Sequence, residues 1–300
     1  MLPSKHMSIA AAIASEAFTT YMWIAPTDLR TASSSSCAMP IWQFRRPAVR
    51  VSSNVRARYS AQPTARRADP IRMKEYRQQS FTRPPGATEI LLVRHGESRA
   101  ATADAPFPLV DGHGDPELHA NGREQAVRVG QRLRHEPIAA VYVTNLRRTV
   151  ETAAPLCAHL GVTPRVEADL REVHLGAWEG GLLRIKAHEN DPAYQQMLAQ
   201  QRWDVIPGAE SWQTLNRRIT GALARIAAAH ANELVVAVVH GGVIAHILAH
   251  ATGARPFSFN GADNGSISHV VLVDDRIVVR RFNDSSHLST HLNPIASQMT

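Results

Sequence analysis

The fold this sequence predicts is a three-layer α/β/α sandwich around a mostly parallel central sheet, and three observations carry that expectation. Short unbroken apolar runs, Ile90 to Val93, Ala139 to Val143 and Leu234 to Val239, have the length and composition of strands buried on both faces. Each is followed by a segment of helical periodicity, with room for right-handed crossovers. Each also ends in cations or imidazoles: Arg94-His95, Thr144-Asn-Leu-Arg-Arg148, and His240-Gly-Gly. In a parallel sheet those ends share one edge, where open α/β sheets bind ligands.

Taken in order, the first strand gives way at Gly96, a residue that lets the backbone turn sharply and approach a bound group. A loop rich in Gly, Asp, Pro and His then runs from Ala100 to Glu117, long enough to be a candidate functional loop. Asn121 to His135 reads as a helix, with Ala126, Val129 and Leu133 on one face. The second strand follows, then a helix over Arg148 to Leu160 and a short strand over Thr163 to Val166. Between Ala168 and Ala209 regularity drops, apart from a helix near Pro192 to Gln200; the segment reads as an excursion over the carboxyl edge of the sheet. Ser211 to His230 is a helix with Leu215, Ile219, Leu223 and Ile226 on one face, and Val243 to Ala251 is the helix after the third apolar run. Ile267 to Val273 and Ile277 to Phe282 read as a closing hairpin across Asp274-Asp275-Arg276.

The formal charge of +7 and pI near 10 suggest a nucleic-acid partner until the charges are located. Residues 1–85 hold 13 of the 33 Lys+Arg and 4 of the 26 Asp+Glu, whereas the remainder holds 20 against 22. The basicity therefore belongs to the leader, and no nucleic-acid partner is expected for the folded domain. Residues 1–85 lack a sustained period and carry Ser33-Ser-Ser-Ser36, so they read as a largely disordered basic leader. Two accounts of the leader stand: a targeting segment, poor in acids and rich in Arg and Ser, or a stretch upstream of a true start near Met73. Met7 to Pro26 is interrupted by Glu16 and hydroxyl residues, a poor membrane span. The domain is expected over 86–285, with a loose tail over 286–300. Cys37 and Cys157 have no metal-ligand spacing; a reducing, cytoplasmic setting fits them. No glycine-rich phosphate loop follows any strand, which argues against nucleotide binding of that kind.

Arginines and histidines gathered at one sheet edge make a compact cationic pocket. Such a pocket suits a phosphate monoester, which carries roughly −1.5 to −2 charges near neutral pH and is matched by planar guanidinium groups two oxygens at a time. The likeness is then specific. Leu92-Val-Arg-His-Gly-Glu-Ser98, Glu117-Leu-His-Ala-Asn-Gly-Arg-Glu-Gln-Ala126, Thr144-Asn-Leu-Arg-Arg-Thr-Val-Glu-Thr-Ala153, Leu170-Arg-Glu-Val-His-Leu-Gly-Ala-Trp-Glu-Gly180, Pro207-Gly-Ala-Glu-Ser211 and Val239-His-Gly-Gly-Val-Ile244 resemble, in order, the motifs of the histidine phosphatase superfamily, also called phosphoglycerate mutase-like. The resemblance spans nearly all of 88–285.

It implies that His95 is the nucleophile, forming a phosphohistidine that water hydrolyses, with its second ring nitrogen donating to a backbone carbonyl. Arg94, Arg148 and His240 would hold the phosphoryl oxygens. Glu172 would be the general acid and then the base, a role worth roughly 10² to 10⁴ in rate. No metal or other cofactor is called for. Many relatives carry an asparagine seven residues after the signature arginine, where it touches the phosphate; here that position is Ala101, and Ser98 is the candidate to fill the gap. The mutases of the family tend to carry larger insertions and a Trp-Asn pair after the signature, absent here. Expected therefore is a phosphatase acting on a small phosphorylated substrate; a phosphoglycerate-type mutase is the alternative, and a non-catalytic phosphate-binding or basic interaction protein a third. Bland readings compete for single residues: Arg147 as a surface cation, Glu179 as structural, His174 as pocket lining or turn cap, Trp178, Trp203 and Trp212 as packing. The sequence leaves oligomeric state open.

Overall fold

The computed structural model describes residues 75–289; Met7 to Pro26, most of the leader and the tail from 290 lie outside them. Eight strands and six α-helices follow in chain order: β1 Thr88–Arg94, β2 Leu109–Val110, β3 His113–Gly114, α1 Ala120–Leu133, β4 Ile138–Val143, α2 Arg147–Leu160, β5 Arg165–Val166, α3 Leu182–His188, α4 Pro192–Gln200, α5 Trp212–Ala229, β6 Leu234–Val239, α6 Gly241–Thr252, β7 Ile267–Val273 and β8 Arg276–Asp284. The main sheet has the order β5-β4-β6-β1-β7-β8, parallel across its first four strands and antiparallel at β7 and β8.

Strand periodicity explains the layers. Ile90, Leu92, Val235, Ala237 and Val239 point to one face, where Leu215, Ile219 and Leu223 of α5 and Ile244, Ile247 and Leu248 of α6 cover them. Val93, Val141, Val143, Val236 and Val238 point to the other, under Val129 and Leu133 of α1 and Leu156 of α2. Both faces being covered is why the parallel strands read as continuous apolar runs. The three-layer sandwich expected from the sequence is what the chain forms.

Register brings the chemistry together. Arg94 lies beside Val239, and Val143 beside Val238, so the residues that follow, His95, Thr144 and His240, emerge side by side on one edge. Space rather than conformation makes Gly96 necessary: its φ is not positive, but a Cβ there would strike the Gly122 carbonyl at the start of α1. The reciprocal contact from Gly122 reaches Glu97, so two glycines let helix and strand end touch.

Several local expectations need correcting. The strand placed at Thr163 to Val166 is only Arg165–Val166, a short edge strand. The loop over 100–117 contains the β2–β3 hairpin. The irregular excursion holds a third helix, α3, beyond the one anticipated; its segment was obscured by Gly180-Gly181 before it. Arg276 belongs to β8, leaving a tight turn with Asp274 at φ 54°. The start of the tail is held down: His287 Nε2 donates to the Gly265 carbonyl (3.0 Å), and Arg128 donates to the carbonyl of Leu288 (2.7 Å).

Candidate active site

Four of the five residues singled out for chemistry, Arg94, His95, Arg148 and Glu172, line a single cavity of about 610 Å³ at the carboxyl edge of the sheet. His240 is not in that wall, but its ring packs edge-on against His95 with centroids 5.2 Å apart.

His95 comes off β1 with its backbone N–H donating to the Val239 carbonyl (3.0 Å). Its ring is buried, and Nδ1 donates to the Gly96 carbonyl (2.8 Å), which fixes the proton on Nδ1 and leaves a lone pair on Nε2. Arg148 confirms the assignment, since its Nε–H points at Nε2 from 3.3 Å, a direction that requires an acceptor. Burial first, then the charges of Arg148 and Arg94, hold the imidazole well below its ordinary value, so it is neutral at physiological pH.

Arg148 enters on the first turn of α2, and its Nη1 donates to the Gly114 carbonyl (2.8 Å) on the β2–β3 hairpin. Arg94 donates through Nη1 to the Ala262 carbonyl. Burial lowers both guanidinium values, and Glu172 offsets part of that effect. His240 Nε2 lies 3.2 Å from the Thr144 hydroxyl, while Nδ1 is buried with no hydrogen-bond partner among the described residues. Burial, chiefly, and Arg148 push His240 well below its ordinary value too.

Glu172 sits in the irregular segment, where backbone amides hold its carboxylate: Oε1 accepts from Val173 (2.9 Å) and Oε2 from Gly242 (3.3 Å). A Cβ on Gly242 would lie 2.6 Å from Oε1, so a side chain at the start of α6 would displace the acid. Arg218 of α5 braces the segment by donating to the carbonyls of Asp169 (2.6 Å), Arg171 (2.7 Å) and Glu172 (2.9 Å) while paired with partly buried Glu210 (2.8 Å). Glu210 lies in the Pro207-Gly-Ala-Glu-Ser211 motif, which thereby gains a physical role.

Ser98 does not fill the place left by Ala101. Its hydroxyl is buried away from the cavity wall and accepts from Arg184 Nη2 (2.7 Å), because an isolated bridge to Leu118 fixes its backbone there. The group that reaches the cavity is Arg184 itself, on α3, which also donates to the Arg99 carbonyl (3.0 Å) and lies over the Phe107 ring (5.3 Å). Burial and the neighbouring Arg148 and Arg94 lower it to about 10, so it stays charged. Sequence reading missed this third guanidinium. The available signal was a lone cation within the apolar run Leu182-Leu-Arg-Ile185.

The other residues weighed have structural partners, although Glu179 and Trp178 also line the 610 Å³ cavity and Trp203 lines a neighbouring one. Arg147 points outward to Asp115 and Glu117 (3.1 Å each). Glu179 accepts from the backbone of Gly114 and Leu175 (2.8 Å each), tying the hairpin to the excursion. His174 packs edge-on against His113, Trp178 is buried in the cluster around α4, and Trp212 lies against His246. Among the described residues no group of three His, Cys, Asp or Glu side chains is placed to hold a metal ion, and no helix is long and apolar enough to cross a membrane.

A neutral imidazole lone pair among buried guanidinium groups, with a carboxyl group lining the same hollow, is an arrangement suited to phosphoryl transfer. Comparison with known proteins supplies the family. The model of the histidine phosphatase superfamily (branch 1) matches residues 90–285, and the chain belongs to that superfamily. It is 38% identical over 207 residues to phosphoglycerate mutase-like protein 4 of Arabidopsis thaliana, covering 67% of this chain and 86% of that protein. It is 34% identical over 206 residues to a metal-independent phosphoserine phosphatase of the same plant, covering 68% and 84%. Among solved structures, a mycobacterial glucosyl-3-phosphoglycerate phosphatase superposes with a TM-score of 0.56 at 25% identity, over 66% of this chain and all of that one.

Proposed function

We propose that this chain is a metal-independent phosphatase that hydrolyses small phosphomonoesters through a phosphohistidine at His95. The observation that carries the reading is the locked tautomer: with Nδ1–H held by Gly96, the lone pair of Nε2 is presented to the cavity it shares with Arg94, Arg148 and Arg184. A guanidinium that now points at Nε2 is replaced there by phosphorus and turns its N–H groups to the phosphoryl oxygens. Nε2 then attacks in line. The N–P bond forms as the ester P–O bond breaks, and Glu172 gives its proton to the departing oxygen. The Glu172 carboxylate next takes a proton from water, whose oxygen attacks phosphorus; the N–P bond breaks, inorganic phosphate leaves and the acid is regenerated. Fixed cationic donors supply the charge stabilisation. His240 joins them if the Thr144 hydroxyl donates to its Nε2, which leaves Nδ1 as an N–H donor beside His95. We further place the catalytic domain over 86–285, outside the basic leader, and the enzyme in the cytoplasm, a setting that suits the buried free thiol of Cys157.

The test is a trapped phosphoenzyme. Quenching during turnover of a radiolabelled phosphomonoester is expected to give an acid-labile, alkali-stable adduct on the wild type and none on His95→Ala, with turnover in the folded variant down by ~10³-fold or more. Retained turnover in that variant overturns the mechanism. Sustained release of inorganic phosphate separates a phosphatase from a phosphoglycerate-type mutase, which returns the group to a bound sugar acid.

A further inference from the structure

A second cavity, of about 630 Å³, shares Arg94, Glu172, Val173, Leu175 and Leu183 with the first and is otherwise of different character. Its own walls come from Tyr194, Met197 and Leu198 of α4, from Trp203, and from Gly241, Gly242, Asn260 and Gly261, with Asn260 the one uncharged polar amide among them. Its only charged lining residues are the two it shares, Arg94 and Glu172, and Arg94 already donates to the Ala262 carbonyl. Trp203 is held in place by Phe257, ring centroids 4.8 Å apart, and Tyr194 and Met197 are anchored in the apolar cluster around Trp178. The walls are thus fixed rather than loose.

We infer that this gallery receives the leaving alcohol, and that the enzyme prefers phosphomonoesters of bulky, uncharged, apolar alcohols over those bearing a carboxylate. The inference rests on the phosphatase reading and adds the substrate class. Position supports it: Glu172, the acid that must meet the departing oxygen, stands in the wall common to both cavities, so the breaking bond is directed from the cationic cavity into the apolar one. Chemistry supports it as well. A ring or branched chain in the gallery meets aromatic and aliphatic side chains, which bind by removing apolar surface from water. A carboxylate there would lose its hydration with no uncommitted cation among the lining residues to replace it. The remaining candidate cation, Arg184, belongs to the first cavity alone and spends two nitrogens on Ser98 and Arg99.

The experiment compares kcat/KM of the full chain for benzyl, hexyl and ethyl phosphates, O-phosphoserine and 3-phosphoglycerate. Benzyl and hexyl alcohols are no better leaving groups than serine, so a preference for their esters reports binding rather than intrinsic reactivity. Benzyl phosphate is expected to exceed ethyl phosphate and O-phosphoserine by ~100-fold, the effect of burying one ring's worth of apolar surface. Leu198→Arg should cut the benzyl-to-ethyl ratio by ~10-fold or more and raise the phosphoserine-to-ethyl ratio, ethyl phosphate serving in each protein as the internal reference. Equal rates for benzyl and ethyl phosphates, or a wild-type preference for the carboxylated esters, overturn the inference while His95-dependent hydrolysis leaves the phosphatase reading standing. No hydrolysis of any ester overturns both.

Discussion

The two halves of the site are built differently. His95, Thr144, Arg148 and His240 stand at or just beyond the ends of β1, β4 and β6, where hydrogen-bonded register places one strand's last residue against the next. Glu172 and Arg184 stand on an excursion with three 3₁₀ turns and two short helices, its site-facing part tied by side-chain hydrogen bonds of Arg218, Glu210, Glu179 and Ser98. A strand end is positioned by the whole sheet, so its side chains tolerate little change in direction. An excursion is positioned by a few polar contacts and a small apolar cluster of its own, apart from the sheet, so its shape can differ while the sheet stays the same. The division suits an enzyme whose phosphoryl chemistry is fixed and whose alcohol-binding side is adjustable.

The sharpest way to break that division is to ask whether the excursion carries chemistry as deep as the strand ends do. Glu172→Gln keeps the size and, through its single amide oxygen, one of the two backbone contacts, while removing the transferable proton. Turnover of alkyl phosphates is expected to fall by roughly 10² to 10⁴. The loss should be much smaller for aryl phosphates such as 4-nitrophenyl phosphate, whose leaving oxygen needs little protonation. The comparison is made in kcat/KM, which reports the first step alone and not the later hydrolysis of the phosphoenzyme: an equal loss for both ester types would mean that Glu172 only props the loop.

A smaller effect is expected from the third guanidinium. Arg184→Met keeps an unbranched apolar stem and deletes the charged group that lies over Phe107. Losing one charge-assisted hydrogen bond, worth about 1.5 to 3 kcal/mol, corresponds to roughly 10- to 150-fold in kcat/KM. The affinity for inorganic phosphate as product inhibitor should weaken in parallel. An inhibition constant unchanged by the substitution would remove Arg184 from the anion site and leave it as a brace for Ser98.

What could be read from the residues alone follows the same line. Ile90 to Val93 and Leu234 to Val239 are buried on both faces, so their composition declares them, and the motifs attached to them inherit a position from the sheet. Glu172 could be named only through the family resemblance, because no periodicity marks an irregular segment. Arg184 and α3 were illegible for a related reason: the seven-residue helix is too short to show a period, and the guanidinium's task depends on Ala101 and Gly181 being small enough to meet. The expectation for Ser98 failed because proximity in sequence to a motif does not say which way a side chain points. A bridge to Leu118 turned it toward α3 instead.

The gentlest test probes the strand-end half by pH. His95 and His240 are buried and lie well below the ordinary imidazole value, and burial with the nearby His250 brings His246 down to about 4. In the unfolded chain these rings titrate near 6.5. Below that value the unfolded state binds protons that the folded state refuses, so stability is full above pH 6.5 and falls as the pH drops toward the folded values. Each fully buried ring contributes a slope of at most ~1.4 kcal/mol per pH unit. The melting temperature should therefore be level above pH 7 and decline steadily from pH 6.5 to 5, with a shallower decline in His246→Gln. Catalysis should not follow the same curve. Because burial and the neighbouring guanidinium groups hold the His95 imidazole well below its ordinary value, its lone pair stays free as the pH falls through that value, so turnover per folded molecule should persist where the melting temperature already declines. A melting temperature that holds or rises on acidification would mean that the imidazoles behind the strand ends are open to water. Turnover per folded molecule that is lost along the same curve would mean that the His95 ring takes up a proton as an exposed imidazole does.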